Sequence, residues 1–284
     1  MTPDVVLAAA TWGDLGTPRT PAGLRALRRA LHPDVCAHPR AAEAFAHVTG
    51  LYEGPDFRLR VATGRRHGPG ALLWRPEPGF EDLADVADRA HRALAGVRHP
   101  GFFSRRGAVP AAAPPAAGVV VYDDGDASAR WWFLADFPRL DARTTVWVAK
   151  RLAAATAQAA EAGWVHGDVH AGTVVLNPAE HGLRLDGWWS GVRLGERLEV
   201  APTAPTPPRW LGGARADARL TVAQSAALLL AAGAPAPDLA DVLRRHAADP
   251  GDPADLLRDV DQVARRLYGR PAWHLLREPD RPPI

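Results

Sequence analysis

A proline near the start of the chain separates two amphipathic helical patterns, and that interruption dictates how the first part can fold. Thr20-Pro21 can open a helix, with threonine as N-cap and proline at the first helical position, where its missing N–H costs nothing. Leu24, Leu27 and Leu31 then recur on one face, with Arg25, Arg28 and Arg29 off it. Pro33 ends this helix, because it donates no hydrogen bond and disfavours helical geometry in the residue before it. A second helix is predicted from Pro39, with Ala41, Phe45, Val48 and Tyr52 on one face and Gly54-Pro55 as its stop. The two apolar faces must be buried on each other, so the helices pair antiparallel. His32-Pro33-Asp34 then stands exposed at the tip of the hairpin.

The remaining length, within 284 residues, has room for a second and larger domain. The formal net charge is only +2. Positive charge comes from arginine, with Lys150 the single lysine, and no face or run gathers the arginines against the acids. A nucleic-acid partner is therefore not expected. Cys36 stands alone, so no internal disulfide can form, which suits a reducing cytoplasm. The N-terminus lacks a basic-then-apolar signal pattern, and the longest apolar stretch, residues 223–235, is too short to span a bilayer. No membrane partner is expected.

Along the chain, residues 57–75 read as strands around a glycine-rich turn, and residues 80–95 as a helix with Phe80, Leu83, Ala87 and Leu94 on one side. Residues 105–118 read as a loop. Val119–Tyr122 and Trp131–Leu134 read as the two strands of a hairpin. A long alanine-rich helix is predicted from Asp141 to about Ala162, then short strands around 165–186, an extended loop at 201–208, and helices near 218–232 and 254–268. The order, strands first and then mostly helices, gives an α+β class. The expected domains are a helical segment at 1–56, a small sheet lobe at 57–136 and a mostly helical lobe at 137–284.

The stretch from Trp164 to Asp186 carries the chemistry. It holds His166-Gly167-Asp168, an apolar run Val174-Val175-Leu176, a turn at Asn177-Pro178, and Leu183-Arg184-Leu185-Asp186. Two aspartates at the ends of short buried strands can converge at one mouth, one to orient a hydroxyl and one to bind Mg²⁺. His166 and His170 are expected to be loop hydrogen-bonders, since no Cys or third His stands at ligand spacing. Trp131-Trp132 and Trp188-Trp189 are expected in the core or at its rim.

Two resemblances follow from these residues. Residues 11–53 resemble the J-domain of DnaJ-type co-chaperones, although Trp12-Gly13-Asp14-Leu15-Gly16 is a short, glycine-broken match to that family's first helix. The resemblance implies a DnaK-type chaperone as partner, with His32, Pro33 and Asp34 as the loop that stimulates its ATPase and Arg25, Arg28 and Arg29 as the basic docking face. Residues 57–270 resemble the protein-kinase-like fold, and His166-Gly167-Asp168-Val169-His170 looks closest to the aminoglycoside-phosphotransferase and related bacterial branches. This implies Asp168 as catalytic base, and Asp186 and Thr173 as ligands for Mg²⁺ and nucleotide. The whole chain looks like a bacterial or phage J-domain protein with a kinase-like body.

The kinase pattern fails at four places. Trp74 or Arg75 stands where the family has a third-strand lysine, and its helix partner would be Asp85 or Asp88. Lys150, in the long helix, is a poor substitute. Thr173 replaces the metal-binding asparagine, the DFG-like triplet reads Asp186-Gly187-Trp188, and Thr63 to Gly70 lacks GxGxxG spacing. Losing the lysine and the asparagine, at about 3 kcal/mol each, costs on the order of 10⁴-fold in rate. The reading is a J-domain adaptor carrying a pseudokinase that binds an unidentified client or a nucleotide, with no cofactor fixed and ATP and Mg²⁺ the candidates. The alternatives are an active atypical phosphotransferase using Asp168 and Asp186, and a non-catalytic scaffold. Thr203 and Thr206 fall where an activation segment would lie.

Overall fold

The computed structural model of the chain describes residues 2–8, 15–17, 21–45, 48, 57–58, 62–66, 71–77, 79–103, 105–106, 120–123, 131–270 and 276–279. It divides into two compact units, Met1–Phe57 and Arg58–Ile284.

In the first unit, α1 (Pro3–Ala8) and α2 (Pro21–Leu31) are followed by a third helical stretch, α3, at residues 41–45, with residue 48 also helical. Their core is Val6, Leu15, Leu27, Leu31, Ala44 and Val48, with Leu24 and Phe45 packed against it. The spacing argument therefore picked the correct inner faces of α2 and α3. Thr20, Tyr52 and Gly54-Pro55 lie outside the described residues. The sequence reading missed α1, whose Val6 is fully buried.

The second unit opens on a five-stranded sheet in the order β1-β2-β3-β5-β4, made of β1 (Phe57–Arg58), β2 (Ala62–Arg66), β3 (Ala71–Pro76), β4 (Arg105–Arg106) and β5 (Val120–Asp123). Two expectations change here. Thr63–Arg66, read as part of a glycine loop, is strand, with Thr63 opposite Arg75 and Gly64 opposite Trp74. Arg105–Arg106, read as loop, is an edge strand on β5. Helix α4 (Leu83–Leu94) follows β3 and packs on it, burying Leu83, Val86, Ala87, Ala90 and Leu94.

The expected hairpin between 119–122 and 131–134 does not form. Both edges of β5 are taken by β3 and β4, and β6 (Trp132–Phe133) instead pairs with β8 (Val174–Asn177), which pairs with β9 (Gly182–Leu185). Between them runs α5 (Ala142–Glu161), capped by Asp141, whose carboxylate accepts the Thr144 N–H at 2.8 Å. β7 (Trp164–Val165) pairs with β10 (Val192–Arg193). The chain ends in α6 (Pro208–Leu211), α7 (Ala218–Ala232), α8 (Pro237–Ala248) and α9 (Pro253–Tyr268). Helix α8 was not foreseen. Among the described residues no helix is long and apolar enough to cross a membrane.

Candidate functional site

Strand β7 delivers His166-Gly167-Asp168 into the interior of the second unit, where all of Val165, His166, Asp168 and Val169 are buried. His166 Nε2 lies 2.6 Å from the carbonyl oxygen of Asp186 and donates to it, while Nδ1 accepts the Asp168 N–H at 3.3 Å. The ring also meets the Trp188 indole edge-on at 4.7 Å. Burial pushes the His166 pKa down to about 4, against weaker opposing pulls from the Asp186 carbonyl and the Asp168 charge. The imidazole is therefore neutral at pH 7. Unfolded, it would titrate near 6.5. Between those values the unfolded chain binds the extra proton, so stability is complete above pH 6.5 and falls as pH drops toward 4. Urea midpoints across that window are expected to fall by the equivalent of about 3 kcal/mol. His166→Gln is expected to flatten the slope.

Asp168 is held more tightly than a free base would be. Its Oδ1 accepts the backbone N–H groups of Thr203 and Ala204, each at 2.7 Å, and its Oδ2 lies 3.9 Å from His170 Nε2. The 201–208 segment is thus fastened to the carboxylate by its own backbone. Burial lowers the His170 pKa, with the Asp168 charge opposing. His170 Nδ1 accepts the Gly172 N–H at 3.1 Å. Both histidines are loop hydrogen-bonders, as expected from their spacing.

Thr173 turns its hydroxyl into the same loop. It accepts the His170 N–H at 3.0 Å and lies within donating distance of the carbonyls of His170 (3.0 Å) and Asp168 (3.3 Å). Asp186 is buried, with Oδ1 accepting the Gly187 N–H at 3.1 Å. A nucleotide-bound Mg²⁺ wants several oxygens with lone pairs to spare. The Asp168 Oδ1 and the Thr173 hydroxyl are committed to the loop, which leaves fewer oxygens for such an ion. Among the described residues no three His, Cys, Asp or Glu side chains form a metal-holding group.

A residue the sequence reading passed over organises the loop. Gln224, fully buried on α7, accepts the Val169 N–H at 3.0 Å and donates to the Gly167 carbonyl (2.8 Å) and the Thr206 hydroxyl (3.0 Å). Asp217, just before that helix, is its half-buried N-cap, accepting from Arg219 N at 3.0 Å. The available signal was a glutamine inside an apolar run, since buried amides need partners.

Trp74 is fully buried on β3, beside α4, and among the described residues its indole N–H meets no acceptor. On α4, Asp85 is exposed, while Asp88 is buried and pairs with Arg92 one turn away. Lys150 pairs with Asp261 across α5 and α9. No lysine–acid pair joins β3 to α4 among the described residues. Trp132, Trp188 and Trp189 are fully buried, as core aromatics should be, and Trp131 carries the Arg184 guanidinium 4.0 Å over its ring.

In the first unit, His32-Pro33-Asp34 is exposed, with the Asp34 side chain 86% open. The Val35 and Cys36 N–H groups both donate to the His32 carbonyl, at 2.9 and 2.8 Å, and the His32 ring stands edge-on to Phe45 at 5.7 Å. The tip is therefore a fixed turn rather than a loose loop. Arg25 and Arg29 are exposed. Arg28, expected beside them, is half-buried and lies 5.4 Å over the Phe45 ring.

No protein-family model and no curated protein matches the sequence. Solved structures do match the fold. The PknI kinase domain of Mycobacterium tuberculosis aligns with 72% of this chain and 92% of its own, at TM-score 0.51 and 17% identity. The Cydia pomonella granulovirus kinase PK-1 aligns with 76% of this chain and 92% of its own, at TM-score 0.55 and 11% identity. The chain therefore contains a protein-kinase-like fold of α+β class.

Proposed function

We propose that the chain is a J-type co-chaperone whose kinase-like body binds without transferring phosphate. One observation carries the proposal: a rigid His-Pro-Asp turn held out in solvent between two helices that share a core, with Arg25 and Arg29 exposed on the preceding helix. A basic helix and an exposed acid suit a partner with a complementary charged groove, and such complementarity accelerates encounter. That partner is a DnaK-type chaperone in its ATP state. The body would then hold the client, in the cytoplasm, where such chaperones and a free Cys36 are both at home.

Three features support a catalytically silent body. Trp74 or Arg75, not lysine, stands on the third strand, Asp88 is engaged with Arg92, and Asp168 is engaged with the 201–208 backbone. Phosphoryl transfer depends on charge stabilisation and positioning, and each of these changes removes some.

The test is to titrate the full chain into a DnaK-type chaperone under single-turnover conditions. A saturable rise in ATP hydrolysis is expected; no rise at any concentration would contradict the proposal. A companion expectation concerns the body alone. A ligand at a hundred times its Kd would stabilise by about 2.7 kcal/mol. Mg-ATP at millimolar concentration is expected to leave the melting temperature of the full chain unchanged, and a clear upward shift would restore the phosphotransferase reading.

A further inference from the structure

On the kinase-like unit, α5 and α9 enclose a cavity of about 220 Å³ that none of the catalytic-loop residues lines. Much of its wall is apolar: Val146 and Trp147 from α5, Ala264 and Tyr268 from α9, and Leu276 beyond. Among the described residues four cations border it, Arg143, Lys150, Arg265 and Arg270, against the carboxylate of Asp261. That carboxylate is already committed, Oδ1 to Lys150 and Oδ2 to Arg265 Nε at 2.7 Å. Arg143 lies over the Tyr268 ring at 4.7 Å. Among the described residues neither Arg143 nor Arg270 makes an ion pair, so the border holds uncompensated positive charge. The indole N–H of Trp147 is buried and meets no acceptor among the described residues. It can only donate.

These features ask for one kind of occupant. A purely apolar ligand would leave the indole N–H unmet and cover the guanidinium groups. A phosphate-rich ligand would leave the aromatic wall empty. An apolar cavity of roughly 150 Å³ takes benzene, so this one takes a body of one or two fused rings. We propose that the cavity binds a small aromatic carboxylate, its rings against Trp147 and Tyr268 and its charge received by Arg143, Arg270 and the Trp147 N–H. Guanidinium groups both stack on rings and accept carboxylates in a fork, which suits them to such an acid. The proposal is independent of the co-chaperone reading, since no residue of the hairpin or catalytic loop takes part.

The probe is 2-naphthoate, titrated calorimetrically into the full chain at low salt, with 2-naphthamide as the uncharged isostere. One-to-one binding of the acid with Kd of about 0.1 mM is expected, and binding of the amide at least about tenfold weaker. The exposed pair of changes Arg143→Gln and Arg270→Gln is expected to weaken the acid to the level of the amide. Trp147→Phe keeps a ring and removes the N–H, and is expected to weaken it about fivefold. No binding of 2-naphthoate, equal binding of acid and amide to the wild-type chain, or undiminished binding to the double variant would each overturn the proposal. The acid–amide comparison on the unaltered chain decides the question even if a variant fails to fold.

Discussion

Asp34→Asn is expected to return a DnaK-type chaperone to its unstimulated ATPase rate while leaving the melting temperature of the protein where it was. The two halves of that expectation have separate causes. Asp34 is 86% exposed, and among the described residues its ionic contact is with His32 Nδ1 at 3.5 Å, itself in solvent. Exposed pairs contribute little to stability. The backbone bonds that shape the turn run from Val35 and Cys36 to the His32 carbonyl and do not involve the carboxylate. The fold should not register the change. A partner that desolvates the carboxylate against a cation should: removing one member of such an interfacial pair costs about 2–5 kcal/mol, which is more than tenfold in affinity. Far-UV circular dichroism and thermal melts verify the first half, and chaperone-stimulated hydrolysis the second. Undiminished stimulation by the variant would remove the hairpin from the mechanism.

Gly167→Ala is expected to be the most damaging single methyl in the second unit. Gly167 has φ +81, in the left-handed region that glycine adopts freely and alanine does not. A Cβ there would stand 2.2 Å from the carbonyl oxygen of Ser190, a backbone atom that cannot swing aside. Strain of about 1–2 kcal/mol from the dihedral adds to the clash, for a total near 4 kcal/mol. In a unit of this size that is a fall in melting temperature of about 10 °C. The same geometry explains why the middle residue of His166-Gly167-Asp168 is glycine. The loop runs against the Trp188–Ser190 turn, and no side chain fits between. A variant melting within a degree of wild type would mean that the two backbones do not approach as described.

Much of this was legible in the residues. Three- and four-residue spacing gave the inner faces of α2 and α3, because amphipathic helices must bury their apolar stripe. Asp141 announced the start of α5 as an N-cap before a long alanine-rich run. The His166–Asp186 segment was readable because a histidine and two aspartates punctuate apolar strands. Other features were not, for physical reasons. Strand pairing is a long-range choice, and nothing local in Trp132-Phe133 says that its partner is β8 rather than β5. Helix α1 has six residues, too few to show an apolar period, whereas α8 carries Leu239, Leu243 and His246 at four- and three-residue spacing, a signal that was passed over. Arg105–Arg106 is too short and too polar to read as an edge strand. The burial of Trp74 could not be read from sequence, since alternation fixes a face only once the register is known. Gln224 looked like an incidental amide and proved to tie Gly167, Val169 and Thr206 together.

The central claim is a division of labour, with the helical hairpin acting on another protein's ATPase and the kinase-like body transferring nothing. One measurement tests both sides at once: incubation of the full chain with a DnaK-type chaperone, a client and ATP labelled on its γ-phosphate. The account expects faster release of labelled inorganic phosphate when the chain is present and no label on any protein. Label that appears on protein and disappears with Asp168→Ala, or phosphate release that stays at the chaperone's basal rate, would contradict it.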